Sequence, residues 1–279
     1  MAVNDDQPQP QRTSDPDRSG HASALESLQS ELRRLHVRLD PLLESLDRGQ
    51  RVAGARVARS TRPAWQHLTS GEPRWPVSIA ILIMILLQVL LPGELTFSGH
   101  WVLPVIELML LCVLVAANPR RITRRSPALR VVGLSLIGIA SLENAWSVAR
   151  LIHGLLLGTS GGQPGPLLAT GANIWVTNVI IFALWYWELD RGGPVARSTG
   201  TDIQPDLLFP QMNLAPELVY QWSPEFTDYV YVSFTNATAF SPTDTMPLTR
   251  RAKMAMMLQA AISLVAAALV IARAVNILH

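Results

Sequence analysis

The sequence predicts an all-α integral membrane protein. We expect a helical bundle of about five transmembrane helices, with an N-terminal cytoplasmic amphipathic or coiled-coil helix. Three observations lead there. Hydrophobic residues make up 49% of the chain and charged residues only 16%, whereas soluble domains carry about 25% charge. The charges lie mostly outside a few long apolar runs, and such runs suit a hydrocarbon core about 30 Å thick. Many arginines flank those runs, where the positive-inside rule places them. The net charge of +2 and pI near 9 therefore point to the lipid bilayer and exclude nucleic acid as a partner.

Residues 1–20 are rich in Asp, Gln, Pro and Ser and too polar to bury a core, so disorder is expected there. They contain no apolar stretch of the kind a cleavable signal peptide needs. In the second region, 21–66, Leu25, Leu28, Leu32, Leu35, Leu39, Leu42 and Leu46 alternate at spacings of three and four. That is a heptad seam, and it predicts self-association into a homo-oligomer, with one or two amphipathic helices lying on the membrane domain as the alternative. Pro41 interrupts the seam or opens a second helix after Asp40. Arg48, Arg51, Arg56, Arg59 and Arg62 follow, an arrangement that either touches anionic headgroups or forms a solvated helix face.

Apolar segments then run over about 77–92, 101–117, 130–157, 168–188 and 252–277. They divide into three transmembrane helices in region 67–160 and two in region 161–279. In lipid only a helix satisfies its own backbone, so none of these is a strand. The loop between the second and third holds Arg120, Arg121, Arg124, Arg125 and Arg130, while the loops "GELTFSGH" and "GTSGGQPGPL" hold no Lys or Arg. The N-terminus and the Arg-rich loop are accordingly expected in the cytoplasm of a multi-pass cell-membrane protein. Simple alternation puts residues 190–250 on the same side, and Arg191, Arg197, Arg250, Arg251 and Lys253 agree.

Polar residues inside the apolar runs are functional candidates because they are costly in a bilayer. Glu107 and Arg150 sit at similar depth, close enough to allow a pair; Gln88, His153, Asn173 and Asn178 share that half; Glu143 and Asn144 fall near the midplane. They either line a polar cavity or hold helices together. No nucleotide-binding loop, metalloprotease motif, nucleophile elbow or CxxC occurs, and Cys112 is the single cysteine, so no catalytic residue, metal site or cofactor is expected. The acidic residues between 188 and 228 are read as exposed and scattered without metal-ligand spacing.

The stretch "DYVYVSFTNATAFSPTDTMP", followed by "LTRRAKMAMMLQAAISLVAAALVIARAVNIL", resembles the pore module of potassium-type channels. The resemblance covers about 50 residues from Asp228, and 110 loosely. It implies a re-entrant or short pore-like helix over "DYVYVSFTNAT" between the last two transmembrane helices, Thr238 before a filter, Ala239, Phe240, Ser241, Pro242 and Thr243 on the filter, Asp244 after it, and Pro247 at the turn. It also makes "NIWVTNVIIFALWYWELD" the outer helix and the last apolar segment the inner one. The filter departs from the family. Both glycines are replaced, by Ser241 and Thr243, and Pro242 lacks an N–H. A β-branched residue at positive φ and an extended residue before proline are incompatible with rings of aligned carbonyls. In channels the filter loop also lies outside, whereas the charge rule puts this one inside.

Three functions remain: a channel-like protein with a degenerate, non-potassium-selective filter that conducts some other ion; a non-conducting scaffold or regulatory subunit; and a small-solute transporter using Glu107, Glu143 and Arg150. The opposing local reading makes 238–244 a re-entrant turn closed by its own polar side chains.

Overall fold

A computed structural model of the chain describes residues 69–97, 101–123, 126–158, 163–199, 204–214, 222–238 and 244–278. The heptad seam at 25–46 and the arginine run at 48–62 lie outside them, as do filter-like residues 239–243.

The fold is all-helical. Helix α1 spans Trp75–Val89, α2 Val102–Ala117, α3 Pro127–Leu156, α4 Pro164–Leu189, α5 Pro194–Ser198, α6 Phe226–Thr238 and α7 Arg250–Leu278. Four of these carry proline at their first or second position, where the missing N–H costs nothing and the fixed φ suits the helix. Over Pro127–Leu156, Pro164–Gly192 and Arg250–Ile277 the chain is long and apolar enough to span a membrane. The helices α1 and α2 have 15 and 16 residues, which gives roughly 22–24 Å at 1.5 Å per residue.

Chain ends and turns gather at two ends of the bundle. At one, which we call the arginine-rich end, β1 (Glu72–Pro73) pairs antiparallel with β2 (Arg121–Ile122). This joins the start of α1 to the end of α2. Arg74 N–H donates to the Arg120 carbonyl there, and Thr69 N–H to the Ser198 carbonyl. At the opposite end Ser147 Oγ donates to the Leu95 carbonyl and Arg273 Nη2 to the Gly158 carbonyl.

The module made of α4, α6 and α7 is the most closely packed part. Helix α6 runs antiparallel to α4: the Phe226 ring packs on Trp187 near the end of α4, and Ser233 bonds the Val179 carbonyl two turns deeper. Its 13 residues reach roughly 20 Å and stop beside Trp175, whose ring meets Phe234. The chain then returns to the end it came from. There β4 (Met246–Pro247) pairs with β3 (Leu207–Leu208), and Leu248 N–H donates to the Asp206 carbonyl. Helix α7 starts from that end and runs antiparallel to α4 along its length, close enough that a Cβ on Gly171 would lie 2.7 Å from Val270 Cγ1. Small residues at such contacts let helix backbones approach.

Helix α4 ends in "DRGG". Arg191, Gly192 and Gly193 have φ of 51°, 80° and 97°, a left-handed run that breaks the helix. Gly193 is also crowded, since a Cβ there would sit 3.2 Å from Glu188 Oε1.

Candidate functional site

Two groups of buried polar residues stand out. The first lies within the helical bundle. Asn144 on α3 donates to Asn178 Oδ1 on α4 at 3.2 Å, and Asn178 donates in turn to Ser263 Oγ on α7 at 3.0 Å. One turn or two nearer the arginine-rich end, Gln259 on α7 is fully buried. Its Oε1 accepts from Tyr186 Oη at 2.6 Å and from Asn236 Nδ2 at 2.8 Å. Its Nε2 donates to the hydroxyl and carbonyl of Ser233, at 2.7 and 3.0 Å. Ser233 Oγ donates to the Val179 carbonyl, and Asn236 Nδ2 also reaches the Met256 carbonyl. Thus one glutamine ties α4, α6 and α7 together, and every polar atom on its amide is used.

Glu107 and Gln88 form a smaller buried contact between α2 and α1: Gln88 Nε2 donates to Glu107 Oε1 at 3.3 Å. Gln88 Oε1, Glu107 Oε2 and the equally buried Glu143 Oε2 have no hydrogen-bond partner among the described residues. The Glu107–Arg150 pair that similar depth allows does not form. Arg150 lies on an exposed face of α3 and donates to the Glu94 carbonyl. Depth along two helices was matched, but the azimuth was not. Asn173 donates to the Leu87 carbonyl, and His153 is exposed.

The second group sits at the arginine-rich end and contains acids that the sequence reading took for exposed and scattered. Asp190 is fully buried and accepts from Tyr229 Oη at 2.7 Å and from the Asp206 N–H at 2.8 Å. Arg197 is buried against Glu72: its Nη2 and Nε donate to Glu72 Oε1 at 2.7 and 3.0 Å. Its Nη1 donates to the carbonyls of Trp187 and Asp190; the first is a last-turn carbonyl of α4, and the second also accepts from the Gly193 N–H. Burial opposes the Arg197 charge, but Glu72 and Asp190 outweigh it and hold its pKa above the usual arginine value. Asp206 accepts two bonds from Arg251, at 2.7 Å each, and one from Thr249. Burial again opposes ionisation; Arg251, Thr249 and the Arg191 N–H win, and its carboxyl is held below the usual aspartate range. Arg74 is different. Burial pulls its pKa down with no anion to offset it.

Of the filter-like residues only the outer two lie in described segments. Thr238 ends α6 with its hydroxyl on the Thr235 carbonyl, and Asp244 is exposed just before β4. Ala239, Phe240, Ser241, Pro242 and Thr243 lie outside the described residues. Gln259, Ser263, Ser233 and Asn236 were legible as polar residues in apolar or amphipathic helices, but sequence reading passed over them. Glu72, Asp190 and Arg197 carried no motif.

Comparison with protein-family models, with curated proteins and with solved structures finds no match to this chain.

Proposed function

We propose that the chain is a multi-pass membrane scaffold or regulatory subunit in which a channel-like module has become a locked, non-conducting packing unit. One observation carries this reading. The polar side chains of α4, α6 and α7 that a conduction path would have to offer to a solute are bonded to one another within one chain, above all at Gln259. The outward faces are apolar, with Met254, Met257, Leu264, Val265 and Ile271 exposed along α7, as suits lipid or a partner helix. Orientation supports it as well. The re-entrant segment opens toward the arginine-rich end, which the charge rule assigns to the cytoplasm, opposite to a channel filter.

We place five crossings at α1, α2, α3, α4 and α7, with the N-terminus and residues 190–250 in the cytoplasm of the cell membrane and a homo-oligomer assembled through Leu25–Leu46. Purified protein in planar bilayers should pass no ionic current. A current altered by Thr238→Ala or Asp244→Asn would restore the channel reading. Cysteine accessibility at Asp244, in a Cys112→Ser background, should report the same side as the N-terminus.

A small-solute or proton transporter is the second reading, favoured by the unpartnered buried oxygens of Gln88, Glu107 and Glu143. Uptake into vesicles that disappears in Glu107→Gln would select it.

A further inference from the structure

A cavity of about 340 Å³ opens between α1, α2, α3, α4 and α5 at the arginine-rich end. Ile81, Leu114, Leu136 and Ile137 give it an apolar lining. Three charged side chains face it: Arg74, Arg130 and Glu188; Asn118 and Ser126 are also among its polar neighbours. Glu188 is answered by Arg130, whose Nε lies 3.5 Å from Oε1. Arg74 is left over. It is 6% exposed, its buried Nε has no acceptor, and no carboxylate pairs with it among the described residues. A cation taken out of water this way is costly until an anion meets it.

We infer that this cavity binds an anionic amphiphile, with a phosphate or carboxylate head on Arg74 and an alkyl chain along Ile81, Leu114, Leu136 and Ile137. Basic pockets between membrane helices on the cytoplasmic side suit such heads. The volume lies at the lower end of ligand pockets, enough for a head and part of one chain. Trp75 and Val131, next in sequence to Arg74 and Arg130, are exposed apolar residues against which the rest of a longer ligand can lie. Two sources share this chemistry: an anionic phospholipid of the bilayer and a free single-chain amphiphile.

Decyl phosphate titrated into the purified full chain in a neutral detergent tests it, followed by calorimetry. One saturable site per chain is expected. Arg74→Gln should weaken it about 10- to 100-fold, the range for a lost hydrogen-bonding partner of a charge. Gly133 also lines the cavity, and a Cβ there meets nothing within 4 Å. Gly133→Leu should therefore fill the space without backbone strain and abolish binding while Arg74 stays in place. Arg120→Gln, exposed and outside the lining, should leave binding unchanged. Native mass spectrometry from phosphatidylcholine nanodiscs doped with phosphatidylglycerol separates the sources. Retained phosphatidylglycerol, lost in Gly133→Leu, marks the bilayer lipid; none retained, with decyl phosphate still bound, marks a free amphiphile. The inference is overturned if decyl phosphate shows no saturable binding. It is equally overturned if both cavity variants bind like the wild type, or if inorganic phosphate binds as tightly as decyl phosphate.

Discussion

Replacing Arg197 by Met should be among the most destabilising single changes at the arginine-rich end. The wild-type guanidinium makes two bonds to Glu72 Oε1 and one each to the carbonyls of Trp187 and Asp190. It also lies 5.0 Å from the Tyr229 ring centroid. The side chains of Arg197 and Glu72 are 4% and 9% exposed, so water cannot take over these contacts. After the substitution Glu72 keeps only the Trp187 indole on Oε2 and is left as a buried, half-paired carboxylate. Removing one partner of such a pair costs about 3–5 kcal/mol. The bonds are not summed separately, because they act on one group. Glu72→Gln should cost less, since Arg197 keeps its two carbonyl partners. Denaturant titration of the protein in detergent micelles, read by tryptophan fluorescence, measures both. The double variant Glu72→Gln/Arg197→Met should cost clearly less than the sum of the singles, with a coupling of about 0.5–3 kcal/mol. A loss under about 1 kcal/mol for Arg197→Met, well below the range for a buried pair, would refute the reasoning. So would strictly additive singles.

Three other outcomes are expected. Gln259→Leu strips partners from Tyr186, Ser233 and Asn236 at once, and with about 1–3 kcal/mol for a buried group left unsatisfied, detergent unfolding should shift by at least that much; an unchanged midpoint would remove Gln259 from its locking role. Gly171→Ala puts a methyl 2.7 Å from Val270 Cγ1 and should cost about 1–3 kcal/mol, with Val270→Ala restoring part of it in the double variant; thermal denaturation of the single and double variants checks this. Asp206 has its folded pKa held below the usual value of 3.8, so its stabilisation is full above about pH 4 and is lost as pH falls through the folded value. The Arg251 side chain is 54% exposed, which limits the pair to about 1 kcal/mol; the difference between wild type and Arg251→Met should therefore be small at pH 7 and shrink as pH falls through the folded value of Asp206, and a difference that grows on acidification would contradict the assignment.

The helices were legible because length and hydrophobicity suffice to mark them. The segment read at 130–157 is the helix Pro127–Leu156; the short helix from Asp228, which only the channel resemblance implied, starts at Phe226. Asp228 also behaves as a helix-start residue: its carboxylate accepts from the Glu225 N–H, the return half of a capping box. The polar sites were legible only as candidates. Asn144 and Asn178 do meet, but Glu107 turns to Gln88 and not to Arg150. Depth follows from counting residues, whereas the direction a side chain faces depends on how each helix is rotated against its neighbours. Asp190 and Asp206 looked like loop acids because nothing local marks burial; they are covered only when β3, β4 and the start of α6 fold over the end of α4.

Hydropathy and charge placement in one dimension therefore settle that this chain is helical and where its long apolar helices lie. These properties depend on the backbone's need to bond itself and on the transfer of apolar side chains from water, both of which are local sums. Tertiary structure decides the rest: that the start of α6 and the strand β4 after it meet at the arginine-rich end, that Gln259 closes the α4, α6 and α7 module on itself, and that Arg74 is buried beside a cavity with no anion on it among the described residues. Such features depend on which side chains far apart in sequence share a contact, and pair energies of that kind exist only once the helices have packed.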